Sequence, residues 1–126
     1  MSRRILVVDD DEAVREVVRT GLEVVAGWEV QVASNGAEAI DLCRADPPDA
    51  VILDVMMPTM DGPTTVARLL GDPRTRYVPV VLLTAKAQAA DLRHWSDLGV
   101  AGVIAKPFDP LRLPHQVADL LGWSRR

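Results

Sequence analysis

Three carboxylates stand directly after two apolar runs of this sequence. Asp9 and Asp10 follow the run Ile5–Val8, and Asp54 follows the run Ala50–Leu53. A charge beside a buried run costs free energy unless something pairs with it. Two carboxylates about 5 Å apart repel by about 3 kcal/mol at an effective dielectric constant near 20, so three together favour a bound cation. Because all these ligands are oxygens, a hard ion is expected, and Mg2+ fits best.

Two further polar side chains end apolar runs. Thr84 ends the run Val78–Leu83, and Lys106 follows Val103–Ala105. A hydroxyl and an ammonium are suited to bind oxygens of a phosphoryl group, which leaves Asp54 free to act as a nucleophile. A carboxylate that attacks phosphorus forms an acyl phosphate, which is a form of covalent catalysis. The protein then contributes positioning and charge neutralisation.

This chemistry needs a scaffold that brings the ends of the four runs together. Each run is short and continuously apolar, which predicts strands buried on both faces of a parallel sheet. A fifth segment, Trp28–Val32, alternates apolar and polar residues, so we expect an edge strand with one face in water. Segments of helical period separate the strands. The first helix carries an apolar stripe made of Val14, Val17, Val18, Leu22 and Val25.

Four more helices complete a (βα)5 pattern. The stretch Asp61–Pro63 is typical of a helix cap and first turn, and Gly99 is typical of a helix end. Pro114 is unfavourable inside a helix, so the last helix is expected to begin near it. The second helix places Cys43 on its inner face, where we expect it to be buried. The four helices are predicted over about 37–43, 61–70, 88–98 and 114–121.

The order of these elements predicts an α/β, flavodoxin-like fold. Five such strands commonly form a doubly wound parallel sheet of order 2-1-3-4-5. The alternating second strand then lies at an edge, as its pattern requires. Strands 1 and 3 become neighbours at the switch point, where ligands bind beyond the carboxyl ends of the strands. We therefore expect Asp9, Asp10 and Asp54 to converge in one crevice, with Thr84 and Lys106 on its far side.

Composition narrows the class of protein. The 126 residues fit one domain, and no linker, repeat or low-complexity segment divides them. A hydrophobic content of 48% and a charged content of 25% are ordinary for a soluble globular protein. The net charge of -4 argues against nucleic acid as a direct partner, because phosphate contacts need a basic patch.

The same composition bears on location. No run approaches the roughly 18 apolar residues of a membrane span. The three acidic residues from Asp9 onward end the first apolar run too early for a signal peptide. Cys43 is the only cysteine, so an internal disulfide is excluded. We therefore expect a cytoplasmic protein without a membrane partner.

Four stretches of the sequence resemble the motifs of one known family. ILVVDDDE, VILDVMMPTMDG, VVLLTAK and AKPFDP are similar to motifs of the receiver domains of two-component response regulators. They occur in the right order, and the resemblance covers essentially the whole chain. It implies a single chemotaxis-type receiver domain over 1–126 that catalyses only its own phosphorylation and dephosphorylation.

The resemblance also implies roles for the acidic residues. Asp54 would be the phospho-acceptor, and a histidine kinase or a histidine phosphotransfer protein would be the donor. Asp9 and Asp10 would be the acidic pair for Mg2+, together with Asp54, and the Met56 backbone carbonyl would complete the protein ligands.

Further roles follow from the same resemblance. Thr84 would be the switch hydroxyl and Lys106 the lysine that pairs with the phosphoryl group, with a cis bond before Pro107. The strand-5 position that is often Tyr or Phe in this family is Val103 here, so coupling to an output would lack an aromatic gate. The candidate apolar contacts on the helix 4, strand 5 and helix 5 face are Leu92, Trp95 and Val103, although Trp95 also fits a core position.

Two other functions share parts of this pattern. An aspartyl-phosphate phosphohydrolase of the haloacid dehalogenase type has a second acid two residues after its nucleophile, where this chain has Met56. A phosphorylation-independent interaction module on the same fold has no reason to keep mutually repelling carboxylates, and Val103 is the one feature in its favour. The sequence leaves open the kinase, the output partner, a stand-alone or longer protein, and a monomer or a phosphorylation-dependent dimer.

Overall fold

Five strands alternate with five helices over the residues that the computed structural model describes, which are 3–57, 59–85 and 89–123, without the side chains of 89–92. The elements in chain order are β1 (Arg4–Val8), α1 (Glu12–Ala26), β2 (Glu29–Ala33), α2 (Gly36–Ala45), β3 (Ala50–Asp54), α3 (Gly62–Leu70), β4 (Val80–Thr84), α4 (Ala89–Asp97), β5 (Gly102–Ala105) and α5 (Leu113–Leu121). This alternation is the predicted (βα)5 pattern.

The strands form one parallel sheet in the order β2-β1-β3-β4-β5. The predicted flavodoxin-like α/β fold is therefore confirmed. Val8 at the end of β1 pairs with Leu53 in β3, and Asp54 pairs with Leu83 in β4. Because all strands run the same way, their carboxyl ends lie along one edge of the sheet.

Side chains of the central strands fill a core on each side of the sheet. Leu6 and Val8 of β1 face the core that includes Cys43 of α2 and Leu69 of α3. The alternate residues of β1 face a second core, packed against α1 and α5. Cys43 is fully buried, as predicted, and burial raises the pKa of its thiol to about 11. The two-residue period of a strand explains why a continuous apolar run fills both cores.

The two edge strands differ from the central ones. β2 pairs only with β1 and its exposure alternates, which confirms the predicted edge strand. The predicted burial of strand 5 on both faces holds for Val103 and Ile104, which pack against the two cores, whereas Ala105 at the end of β5 is exposed. β4 begins at Val80, later than predicted, because the Val78 amide donates to the Thr75 carbonyl in a turn (3.0 Å).

Helix α1 buries only part of its apolar stripe. Val18 and Leu22 are fully buried against the sheet, whereas the side chains of Val17 and Val25 are 45% and 38% exposed. The stripe is wider than the face that the sheet covers, so α1 presents valines to solvent. No helix within the described ranges is long and apolar enough to span a bilayer.

Candidate functional site

The structure brings the three predicted carboxylates together. One carboxylate oxygen from each of Asp9, Asp10 and Asp54 lies within 4.8 Å of the others. Asp9 and Asp10 follow β1, and Asp54 ends the neighbouring strand β3, so the parallel register delivers all three to one crevice. Asp9 and Asp54 are buried, whereas Asp10 is exposed at the mouth of the crevice.

Lys106 crosses the crevice from the end of β5. Its Nζ lies 2.9 Å from Oδ1 of Asp54 and 3.6 Å from Oδ2 of Asp9. The Lys106 amide also donates to the carbonyl of Thr84 (2.8 Å), which fixes this position beside the end of β4. The Lys106–Pro107 bond is cis, as the resemblance implies. Lys106 therefore reaches two of the three acids from the opposite side.

The surroundings of Asp9 disfavour its ionised form and raise its pKa. Burial raises its pKa above the ordinary value, and the nearby charges of Asp54 and Asp10 raise it further. The amide of Asp11, which donates to Oδ1 (2.9 Å), and the charge of Lys106 only partly offset this. Oδ2 of Asp9 is buried and has no hydrogen-bond partner among the described atoms.

The pKa of Lys106 shifts upward. Burial alone would lower it, but the hydrogen bond to Asp54 and the charges of Asp54 and Asp9 outweigh burial. The side chain therefore remains an ammonium in the crevice. Among the described residues, Lys106 is the one cation that forms ion pairs with these carboxylates, which leaves the cluster of three carboxylates net negative.

Asp54 is only 4% exposed, and its Oδ1 accepts from the amide of Met56 (3.4 Å). Met56 itself is exposed to solvent, at 64%. Thr84 is buried at the end of β4, opposite Ala105 in β5. The two central strands and β5 thus carry the predicted hydroxyl, carboxylate and ammonium to one edge of the sheet.

The loop after Asp54 is folded back by a glycine. The Gly62 amide donates to the Val55 carbonyl (3.0 Å), and a Cβ at Gly62 would lie 2.8 Å from the Val55 Cα. Asp61 then caps α3 by accepting from the Thr64 amide (2.9 Å). The Asp-Gly that follows the methionines is therefore turn and cap chemistry that returns the chain beside Asp54.

Three predicted contacts of the helix 4, strand 5 and helix 5 face have different outcomes. Trp95 is only 7% exposed and packs in the core, so its assignment as a surface contact is corrected. Val103 is partly buried against the same core. The Leu92 side chain lies outside the described residues.

Arg15 is a contact that the sequence reasoning missed. Its Nη1 donates to the backbone carbonyl of Asp9 (2.8 Å). Asp11 caps α1 by accepting from the amides of Ala13 and Val14 (2.9 and 3.4 Å), which starts the helix at the crevice. Helical side chains point toward the N-terminus of their helix. The signal available in the sequence was therefore an arginine one helical turn after Asp11.

The donor set suits a hard divalent cation. Three carboxylates offer oxygen ligands within 4.8 Å of one another, and the buried Oδ2 of Asp9 lacks a hydrogen-bond partner among the described residues. Mg2+ prefers one or two carboxylates and retains water, which matches an acidic cluster with Asp10 at an open mouth. The residues present therefore fit Mg2+.

Comparison with known proteins places the chain in a family. Residues 5–118 match the response regulator receiver domain family. The chain is 41% identical over 120 residues to the response regulator PleD of Caulobacter vibrioides, which covers 95% of this chain and 26% of that protein. It is 40% identical over 118 residues to the DNA-binding dual master transcriptional regulator RpaA of Synechocystis, which covers 94% of this chain and 48% of that protein. The chain thus spans a quarter to a half of these curated relatives.

Solved structures agree with this assignment. A putative response regulator from Chloroflexus aurantiacus superposes with a TM-score of 0.88 at 34% identity, and 97% of this chain and 99% of that one are covered. The chemotaxis protein CheY4 of Vibrio cholerae superposes with a TM-score of 0.88 at 28% identity, and 95% and 99% are covered. Receiver domains of this kind are signalling domains, not classical enzymes; they generally bind Mg2+ and work with histidine kinases and output domains. From its sequence match, its fold and its acidic crevice, this chain belongs to the receiver domain family of two-component response regulators.

Proposed function

We propose that this receiver accepts a phosphoryl group on Asp54 from the phosphohistidine of a kinase or phosphotransfer protein. The observation that carries the proposal is the placement of Asp54. Its buried carboxylate lies beside two others and 2.9 Å from the Lys106 ammonium. The neighbouring carboxylates repel such a carboxylate, and a bound cation can relieve that repulsion.

Different residues of the crevice bind the metal, attack phosphorus and bind the phosphoryl oxygens. Asp9, Asp10, Asp54 and the Met56 carbonyl would hold Mg2+, which supplies positive charge to the oxygens of the phosphoryl group. One oxygen of Asp54 attacks phosphorus, the bond from phosphorus to the histidine nitrogen breaks, and the histidine keeps that electron pair. Lys106 and the Thr84 hydroxyl bind the remaining oxygens, so the chain contributes positioning and electrostatic stabilisation.

Phosphorylation would also act as a switch. It replaces a carboxylate by a group of charge near -2, which draws Lys106 and Thr84 toward it. These residues lie at the ends of β5 and β4, so the change passes to the face formed by α4, β5 and α5. Val103 has no aromatic ring that could move with Thr84, so we propose a modest shift in population between an inactive and an active conformation. The size of the shift is set by how much more strongly the phosphoryl group interacts with the active conformation.

The rival functions fare less well. The position two residues after Asp54 holds Met56, whose exposed thioether cannot protonate a leaving group as a phosphohydrolase requires. A static interaction module would gain nothing from a buried carboxylate such as Asp9, whose charged form is disfavoured by its surroundings. We further propose one receiver domain over 1–126, a cytoplasmic location, no direct contact with nucleic acid, and a monomer or phosphorylation-dependent dimer.

An apolar groove lies beside the crevice and suits the donor protein. Lys106, Pro107 and Phe108 line it together with Val14 and Val17 of α1, and its volume is about 490 Å³. Exposed apolar surface continues along α1 past Val17. Because Lys106 borders both the groove and the acidic crevice, a protein seated in the groove would hold its phosphohistidine near Asp54.

Changing Val17 to aspartate tests this function with two donors. Wild-type protein should accept phosphoryl groups both from a small phosphodonor and from a phosphohistidine protein. Val17→Asp should slow transfer from the protein about tenfold, because a charge replaces an apolar contact that the donor protein would bury, worth about 1.4 kcal/mol. It should leave transfer from the small donor unchanged. Rates of phosphoryl uptake measured by intact mass provide the readout.

The control for this experiment is Tyr77→Asp, which adds the same charge at a side chain that is 78% exposed. Tyr77 precedes β4 and so lies at the opposite end of the strands from the crevice. Equal slowing by both variants would remove the groove from the proposal. Uptake from neither donor by the wild-type protein would contradict the proposed function itself.

A further inference from the structure

The connection between β1 and α1 is held at both peptide bonds that flank Asp10. The carbonyl of the Asp9–Asp10 peptide accepts from Arg15 Nη1 (2.8 Å). The amide of the Asp10–Asp11 peptide donates to Oδ1 of Asp9 (2.9 Å). The backbone on each side of Asp10 is therefore fixed by a hydrogen bond from outside Asp10 itself.

Within the described part of the chain, Asp10 has no comparable anchor of its own. It is exposed at the mouth of the crevice, whereas Asp9 is 1% exposed and its amide donates to Ala33 in β2 (3.1 Å). An exposed side chain keeps its rotamer freedom, and its backbone fixes the direction of the Cα–Cβ bond from which it starts. The orientation of the Asp10 carboxylate toward the other acids thus depends on the two flanking peptides.

We propose that Arg15 is a positioning residue that orients Asp10 for Mg2+, an inference that rests on the proposed function. The guanidinium does not touch the carboxylates in the described contacts; it acts through the Asp9 carbonyl. Outer partners of metal ligands raise affinity by fixing the ligands before the ion arrives.

Two effects of Arg15 have opposite signs, which makes the inference testable. Its positive charge near the acids opposes Mg2+ binding, so a purely electrostatic role predicts tighter binding when the charge is removed. Its hydrogen bond holds the ligand loop, so a positioning role predicts weaker binding. Outer partners cost about tenfold to 100-fold in metal affinity when removed. We expect Mg2+ affinity to fall by an amount at the lower end of this range, because only one of the two hydrogen bonds that hold the flanking peptides is lost.

The experiment is a Mg2+ titration of wild type, Arg15→Gln, Arg15→Lys and Arg19→Gln, followed by amide chemical shifts around Asp54. Arg19 lies on the same helix and pairs with Glu16 (2.7 Å), so Arg19→Gln removes the same charge without touching the loop. We expect the dissociation constant to rise about tenfold in Arg15→Gln only. Arg15→Lys keeps a charge and a donor and should lie nearer to wild type.

A second readout separates positioning from damage to the site. At saturating Mg2+ the rate of phosphoryl uptake by Arg15→Gln should equal the wild-type rate, because Asp54 and Lys106 are untouched. Unchanged or tighter Mg2+ binding in Arg15→Gln, or a lower rate of phosphoryl uptake at saturating Mg2+, would overturn the inference about Arg15 but not the proposed function. Absence of any Mg2+ response in the wild-type protein would instead overturn the metal site of the proposed function, and this inference with it.

Discussion

Asp54→Asn should take up no phosphoryl group under conditions in which the wild-type protein takes up one. The amide oxygen of asparagine is a poor nucleophile, whereas the shape of the side chain is retained. Asp54 is 4% exposed and lies 2.9 Å from Lys106, so no neighbouring carboxylate occupies the same place. The loss should therefore be complete. Intact mass after incubation with a small phosphodonor and Mg2+ measures it.

The matched control is Asp61→Asn in the loop that follows β3. Asp61 caps α3 through the Thr64 amide, and asparagine is an equally good cap. This variant should be phosphorylated like wild type. The wild-type phosphoryl group should survive acid and be released by hydroxylamine, as an acyl phosphate is. Undiminished phosphorylation of Asp54→Asn would show that the acceptor is another residue.

Asp9→Asn should make the metal-free protein more stable at neutral pH. Its carboxylate is buried beside two others, and a repulsion of about 3 kcal/mol per close pair is only partly offset by Lys106. The net gain in the free energy of unfolding should be about 1 kcal/mol. Asparagine keeps the Oδ1 acceptor for the Asp11 amide. Urea unfolding in the presence of EDTA measures the gain.

The pH dependence of that gain has a definite sign. The pKa of Asp9 is raised in the folded protein, chiefly by burial. The folded state therefore binds the Asp9 proton more tightly than the unfolded state does. The stabilisation that this proton gives is fully present below the pKa of Asp9 in the unfolded chain, and it is lost as pH rises through the pKa of Asp9 in the folded protein. The advantage of Asp9→Asn should thus shrink as pH falls from neutral through that pKa. A constant advantage would mean that it does not come from ionisation.

The same variant should lose most of its stabilisation by Mg2+. An ion that binds only the folded state stabilises it by mass action. In the proposed site Asp9 would supply a ligand, and its buried Oδ2 lacks a hydrogen-bond partner among the described atoms. Asp41→Asn, at an exposed position of α2, should respond to Mg2+ like wild type. An undiminished response in Asp9→Asn would move the ion elsewhere.

The sheet and the crevice were predictable because both follow from short-range patterns. Continuous apolar runs predicted the central strands, and the alternation of apolar and polar residues in the second strand predicted its position at an edge. Once Ile5–Val8 and Ala50–Leu53 are neighbours, the position of Asp9 beside Asp54 follows from the register alone. The burial of β5 was only partly predictable, because a continuous apolar run does not show that its last residue, Ala105, is exposed.

Side-chain contacts across loops were less predictable. Arg15 reaches the Asp9 carbonyl through a long, flexible side chain, so no periodic signal marks it. Val17 belongs to the apolar stripe of α1 yet is 45% exposed, because the sequence cannot show how wide a face the sheet covers. Trp95 could fit core or surface from its spacing, and only its burial in the core that includes Leu69 places it inside.

The central claim is that a phosphoryl group on Asp54 switches a distant face, and beryllofluoride, a phosphoryl mimic, tests it most directly. Amide chemical shifts should be compared with and without the mimic in wild type and in Thr84→Ala. We expect changes that reach Trp95 and Val103 in wild type and shrink in Thr84→Ala, while the loops around Asp54 still respond in both. Changes confined to those loops, with α4 and β5 silent in the wild-type protein, would contradict the claim.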